Sequence, residues 1–209
     1  MSQQPMTEEQ RITVCKTSLN QIYTALRSSS NQWRNYIPLA RSIIAHIDAT
    51  SFMQQPTRTA EQAWMIAGLQ RLAFADQESG SVNDIATWCA RQWQIIYQRE
   101  PLNVVAIRGI GQGWLSRAAP ALTRINRNIA PSSSSRRSAP CITSSEDERL
   151  TAAQIADAER RVGTADYVEA RGLLQPAVEY LERAVATAPG QRVLSGELLV
   201  TVSDASDLQ

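Results

Sequence analysis

IATWCARQWQIIYQREPLNVVAIRGIGQGWLS, residues 85–116, reads as two helices joined by a short hinge at Pro101. Before the hinge, Ile85, Trp88, Cys89, Trp93 and Ile96 fall on one face at the spacing of a helix of 3.6 residues per turn. A proline lacks the N–H of the helical ladder and crowds the turn before it, so a helix arriving at Pro101 stops. The same spacing resumes at Ile107, Ile110 and Trp114. The stretch therefore predicts a helix over about Asp84 to Gln98 and another over about Asn103 to Arg117.

Helical signals continue toward the N-terminus. Thr7-Glu8-Glu9-Gln10 is a capping box, in which the threonine accepts from the third backbone N–H and the glutamine reaches back. Ile12, Cys15, Leu19, Ile22 and Leu26 follow as one stripe, ended by Ser28-Ser29-Ser30. A second helix starts near Pro38, a residue suited to a first turn, with Ile37, Ala40, Ile44 and Ile47 facing inward. The two stripes predict an antiparallel hairpin over residues 1–56, with a coiled-coil dimer through the same faces as the alternative. A third helix is expected from Thr59 to Ala75, carrying Trp64, Met65, Gly68, Leu69 and Leu72. Gly68 costs roughly 1 kcal/mol of helix propensity and would admit a close neighbour. QESGSVN, residues 77–83, reads as a loop.

Toward the C-terminus, a short helix is expected from Ala119 to Ile129. PSSSSRRSAPCITSS, residues 131–145, holds too little apolar surface to order itself and predicts a disordered linker over 131–149. Thr151-x-x-Gln154 opens a further helix to Arg161. Tyr167 to Thr187 reads as helix interrupted or kinked at Gly172 and Pro176 and stopped by Pro189-Gly190, with a last helix from Arg192 to Val202. The expected organisation is a hairpin (1–56), helix pairs (57–130), the linker, and C-terminal helices (150–209).

Cys89-x3-Trp93, then Pro101, then Ile107-x2-Ile110-Gly111-x2-Trp114 resembles the W-x2-L-G-x2-Y … A-x3-F … P spacing of a tetratricopeptide repeat. Ala177-x3-Leu181, Ala184 and Pro189 match the second half of the pattern again. Pro101 and Pro189 are 88 residues apart, which is two repeat periods of about 34 plus an insertion of about 20 that the serine-rich segment would supply. Ile107 stands where the family has Trp, Trp114 where it has Tyr, Ile96 where it has Ala, and Leu199 at a family glycine. The resemblance implies an all-α protein, with antiparallel helix pairs stacked as a short right-handed solenoid carrying a Ser-rich insertion. It also implies a non-catalytic adaptor or assembly factor that holds a peptide or helix in a groove between pairs. Family members that grip a chaperone's C-terminal carboxylate use a clamp of lysines, asparagines and an arginine. Lys16 is the sole lysine here and lies outside any repeat match, so recognition would rest on arginine and aromatics.

A net charge of +1 supplies no global field for nucleic acid, membrane or an acidic substrate. No apolar run approaches the roughly 18 residues of a membrane span. Three scattered cysteines and a polar N-terminus point to an intracellular location, cytoplasmic or nuclear. Cys15 and Cys89 lie on apolar faces and read as core residues. With His46 the single histidine, neither a histidine metal site nor a His-dependent triad is expected, and no catalytic group, cofactor or metal is assigned.

Three further features bear on function. Gly109-Ile110-Gly111-Gln112-Gly113 imitates a dinucleotide fingerprint, but the third glycine is misplaced and no acidic residue follows within thirty positions. Close helix packing through Gly109 and Gly113 is the competing explanation. Between Pro101 and Ser145 there is no Asp or Glu, while Arg108, Arg117, Arg124, Arg127, Arg136 and Arg137 fall there. Such a stripe is an ordinary solvated face, a surface for an acidic protein, or a nucleic-acid contact, the last weakened by the lack of interleaved aromatics other than Trp114. Arg108, Trp114, Arg117 and Arg124 are accordingly the candidate partner-binding residues. Linker serines beside Arg136-Arg137 and Glu146-Asp147-Glu148 resemble kinase sites.

Overall fold

Thr7 and Gln10 form the reciprocal cap expected of them. The Gln10 N–H donates to Thr7 Oγ1 at 3.3 Å, and the Thr7 N–H donates to Gln10 Oε1 at 2.9 Å. The computed structural model describes residues 6–28, 30–76, 80–129 and 163–191. The expected linker, the Thr151–Arg161 and Arg192–Val202 helices, Cys141 and the linker serines all lie outside the described residues.

Within them every regular element is helical: α1 (Glu8–Ser28), α2 (Ile37–Asp48), α3 (Thr59–Ala73), α4 (Asn83–Arg99), α5 (Val104–Ile129) and α6 (Ala165–Gln191), with short 3-10 turns between α1 and α3. Ile12, Cys15, Leu19 and Ile22 of α1 are buried as the stripe requires. In α2 the buried set is Ala40, Ile43 and Ile47, and Ile44 sits half-buried on the flank. Residues 40, 43 and 47 share one helical face; 44 lies about 100° round from 43, a turn that the sequence pattern alone left undecided.

The helices expected over Asn103–Arg117 and Ala119–Ile129 are one continuous helix, α5, with Pro120 inside it. A proline there removes one rung of the ladder, about 3 kcal/mol or more in an isolated helix. Packing against α6 offsets that loss. Val104 and Ile107 near one end of α5 meet Ala184 and Ala188, while Ala118, Ala121 and Ile125 toward the other meet Ala170 and Leu174. α6 likewise runs unbroken through Gly172, Pro176 and Pro189-Gly190 to Gln191. At Pro189 only the last turn is affected.

Neighbours along the chain pack as α1 on α2, α3 on α4, α4 on α5 and α5 on α6, and α1, α3 and α5 touch in succession. Side chains join α2 to α4 and α4 to α6. Trp88 Nε1 donates to Asp48 at 3.0 Å, Arg41 pairs with Asp84 at 2.6 Å, and Arg183 donates to the Tyr97 hydroxyl. Between α1 and α3, Lys16 and Arg58 both hold Glu61, and Arg58 also reaches Glu9 at 2.6 Å. None of the described helices is long and apolar enough to cross a membrane.

Two glycines should respond to alanine with opposite signs. At Gly109 an added Cβ would lie 2.4 Å from the Trp93 ring, which is 1% exposed and has no room to withdraw, so Gly109→Ala should destabilise by about 1–3 kcal/mol in urea unfolding. At exposed Gly172 nothing lies within 4 Å, and Gly172→Ala should stabilise by up to about 1 kcal/mol. A pH series tests the charged contacts. Hydrogen bonds from Arg58 and Lys16 hold Glu61 below its ordinary 4.5, and Arg41 holds Asp84 below 3.8. Their stabilisation is present in full above those ordinary values and is lost as pH falls through the lower folded ones. Thermal midpoints should therefore be flat down to about pH 5 and drop below about pH 4, with a shallower drop in Glu61→Gln.

Candidate partner-binding cleft

Trp93 is wedged where α3, α4 and α5 meet, against a stretch of α5 that lacks a Cβ at Gly109. Its Nε1–H donates to Gln70 Oε1 at 2.6 Å, and Gln70 Nε2 donates to the Gly109 carbonyl at 3.0 Å. One glutamine from α3 thus ties α4 to α5 and satisfies the buried indole N–H. Above this floor opens a cavity of about 70 Å³, walled by Phe74, Ala86, Ala90, Ile110, Trp114 and Arg117. The Arg117 guanidinium lies 5.2 Å from the centre of the Trp114 ring, within cation–π range.

Of the four candidate residues, the structure brings Trp114 and Arg117 into this cleft. Arg124, two turns further along α5, instead pairs with Asp166 at 2.7 Å and Glu169 at 2.5 Å, and its hydrogen bond to Asp166 raises its basicity. The acids missing from residues 101–145 are supplied to it from α6. Arg108 is half-buried, engaged in contacts of its own, and not part of the cleft wall.

Sequence reasoning passed over Gln70 and Phe74. Gln70 falls four residues after buried Ile66, a polar side chain at an inward position, and that mismatch was the available signal. Phe74 lies inside the helix expected over Thr59 to Ala75 but caps α3, which ends at Ala73.

Val104–Ile107, the would-be strand of a dinucleotide site, is the first turn of α5, and Gly109–Gly113 lies within that helix. Its backbone N–H groups are committed to the helical ladder and cannot cradle a phosphate. Packing accounts for the glycines. Gly109 and Gly113 face Trp93 and Gln70, while a Cβ on Gly111 would lie 2.7 Å from Leu181 of α6.

Cys15 and Cys89 are buried, with thiols directed at the carbonyls of Ile43 and Ile66. Burial pushes both thiols up, Cys89 far beyond the range of a reactive cysteine. Among the described residues no group of three or more His, Cys, Asp or Glu side chains comes together.

In a Cys141→Ser background, an aromatic disulfide reagent at about pH 8 should leave Cys15 and Cys89 unmodified until denaturant is added. Gln70→Leu strands the Trp93 N–H and should destabilise by about 1–3 kcal/mol, read from the indole emission during urea unfolding. In comparisons with known proteins, no protein-family model, no curated protein and no solved structure matches this chain.

Proposed function

We propose that the chain is a non-catalytic scaffold for another protein, built as a short, right-handed, tetratricopeptide-like stack of helix pairs. The pairs are α1 with α2, α3 with α4, and α5 with α6, so that one repeat period of about 34 residues, rather than the two expected from the spacing of Pro101 and Pro189, spans the two prolines and a longer insertion divides the last pair. Supporting this, Gly111 of α5 abuts Leu181 and the Ala177 carbonyl of α6, positions that in the repeat pattern are the glycine of one helix and the small and large residues of its partner. Trp93, at the pattern's aromatic position, fills the space between its own pair and α5.

The binding role rests on one observation, the cleft walled by Phe74, Trp114 and Arg117. About 70 Å³ is far below the roughly 300–1,000 Å³ of sites for drug-sized ligands, and suits one aliphatic side chain. Arg117 at its wall favours an acidic residue beside that anchor. The occupant is then an extended segment of a partner protein, with a Leu- or Val-sized side chain inserted and a neighbouring carboxylate on the guanidinium. Arg124 is already neutralised by Asp166 and Glu169, which weakens a nucleic-acid role for the stripe. The expected setting is the reducing interior of a cell.

An array of hexapeptides pairing Leu, Ile or Val with Asp or Glu tests the proposal. Peptides retained by the full chain should lose about tenfold or more in affinity with Arg117→Glu and with Trp114→Ala, while circular dichroism stays unchanged. Retention indifferent to both substitutions would overturn it.

A further inference from the structure

α4 and α5 run antiparallel across the hinge at Pro101, and the seat of Trp93 on Gly109 sets their register. Counted outward from that contact, the lining of the Trp114 cleft falls into three levels, each about 6 Å from the next along the helices. At the middle level Ala90 stands opposite Gly113 and Trp114, and the small side chains leave the opening. One turn to one side Ala86 stands opposite Arg117, and one turn to the other Gln94 stands opposite Ile110. The cleft thus has an apolar slot at its centre, a cation at one end and an amide at the other.

Both polar ends are uncommitted. Arg117 is half-buried and lies on the Trp114 ring, but among the described residues it forms no ion pair, in contrast with Arg124. Gln94 is half-buried as well, and among the described residues its amide makes no hydrogen bond. Unlike Gln70, it keeps access to solvent at the lip of the cleft.

These positions select a register in the occupant. In an extended chain alternate side chains share a face about 6.6 Å apart, and the residue between them points the other way. The Trp114 ring centre and the Arg117 guanidinium are 5.2 Å apart. An aliphatic side chain against the ring therefore brings the residue two positions along, and not the adjacent one, to the guanidinium. At the other end, a glutamine amide offers a donor and an acceptor, which match the main-chain N–H and C=O that an extended residue turns to one edge. A helical occupant satisfies its main chain internally and leaves Gln94 unpaired.

We propose that the occupant carries an Asp or Glu two positions from its aliphatic anchor, and that Gln94 pairs with its main chain on the far side of that anchor. The inference rests on the scaffold reading above and narrows the occupant from any aliphatic and acidic pair to one spacing. Gln94 holds the main chain in place, and Arg117 reads the acid.

Decapeptides with one Leu and one Asp on a neutral background, titrated against the full chain by fluorescence polarisation, test it. Asp is moved from one to four positions from Leu in both chain directions. Affinity should peak at a spacing of two, about tenfold above the others, and Arg117→Met should level the series. At one position on the side of Leu away from Asp, methylating the peptide nitrogen should cost about fivefold, and Gln94→Ala should remove that cost. Peptides that depend on Trp114 and Arg117 but bind best at a spacing of one, or equally at all spacings, overturn the register and leave the cleft standing. A peak at three or four marks a helical occupant and overturns it too. Methylation that costs as much in Gln94→Ala as in the unsubstituted chain overturns the assignment of Gln94. Binding indifferent to Trp114→Ala and Arg117→Glu, or no binding at all, sinks the scaffold reading and the inference together.

Discussion

The contact between Trp93 and the bare backbone at Gly109 sets the spacing of the middle helices. An indole with 1% exposure cannot shift, and its N–H cannot be left dry, so Gln70 must come in from α3 and the α5 backbone must present a carbonyl at Gly109. Three helices are fixed by one ring and one amide. The cleft above them inherits that rigidity. Phe74, Trp114 and Arg117 are carried on elements whose relative positions are already determined, which lowers the entropic cost of holding a ligand.

Much of the fold was legible because its signals are local. The Thr7–Gln10 box, the α1 stripe and the stop at Pro101 each depend on residues within a few positions of one another, and the structure follows them. Where the pattern misled, the deciding contact was remote. Pro120 and Pro176 look like breaks until α5 and α6 lie side by side, when alanines at 118, 121, 170, 184 and 188 let the backbones approach closely enough to hold both helices whole. Arg124 looked available for a partner because its acids, Asp166 and Glu169, lie more than forty residues away in sequence. Gln70 and Gln92 stand out only as polar side chains at inward positions, which does not tell what each one bonds. Whether a glutamine in a buried stripe is tied or open depends on what stands opposite it.

Those two glutamines show how one residue type serves opposite ends. Gln70 spends both halves of its amide on neighbours and locks a junction. Gln92, on the next helix, is as well buried but keeps its oxygen unbonded. A fold with marginal net stability tolerates few such buried, unbonded groups.

The wide separation in sequence between the two long helices shapes how the molecule assembles. Gly111 must find Leu181, seventy positions away, whereas α1 with α2 and α3 with α4 join through short connections. Contacts between distant residues form late, since the chain entropy lost in closing them comes before any reward. During synthesis the first four helices can settle while α6 is still being made, leaving the alanine-lined side of α5 bare for an interval. A nascent chain caught then would offer that strip to chaperones or to another copy of itself.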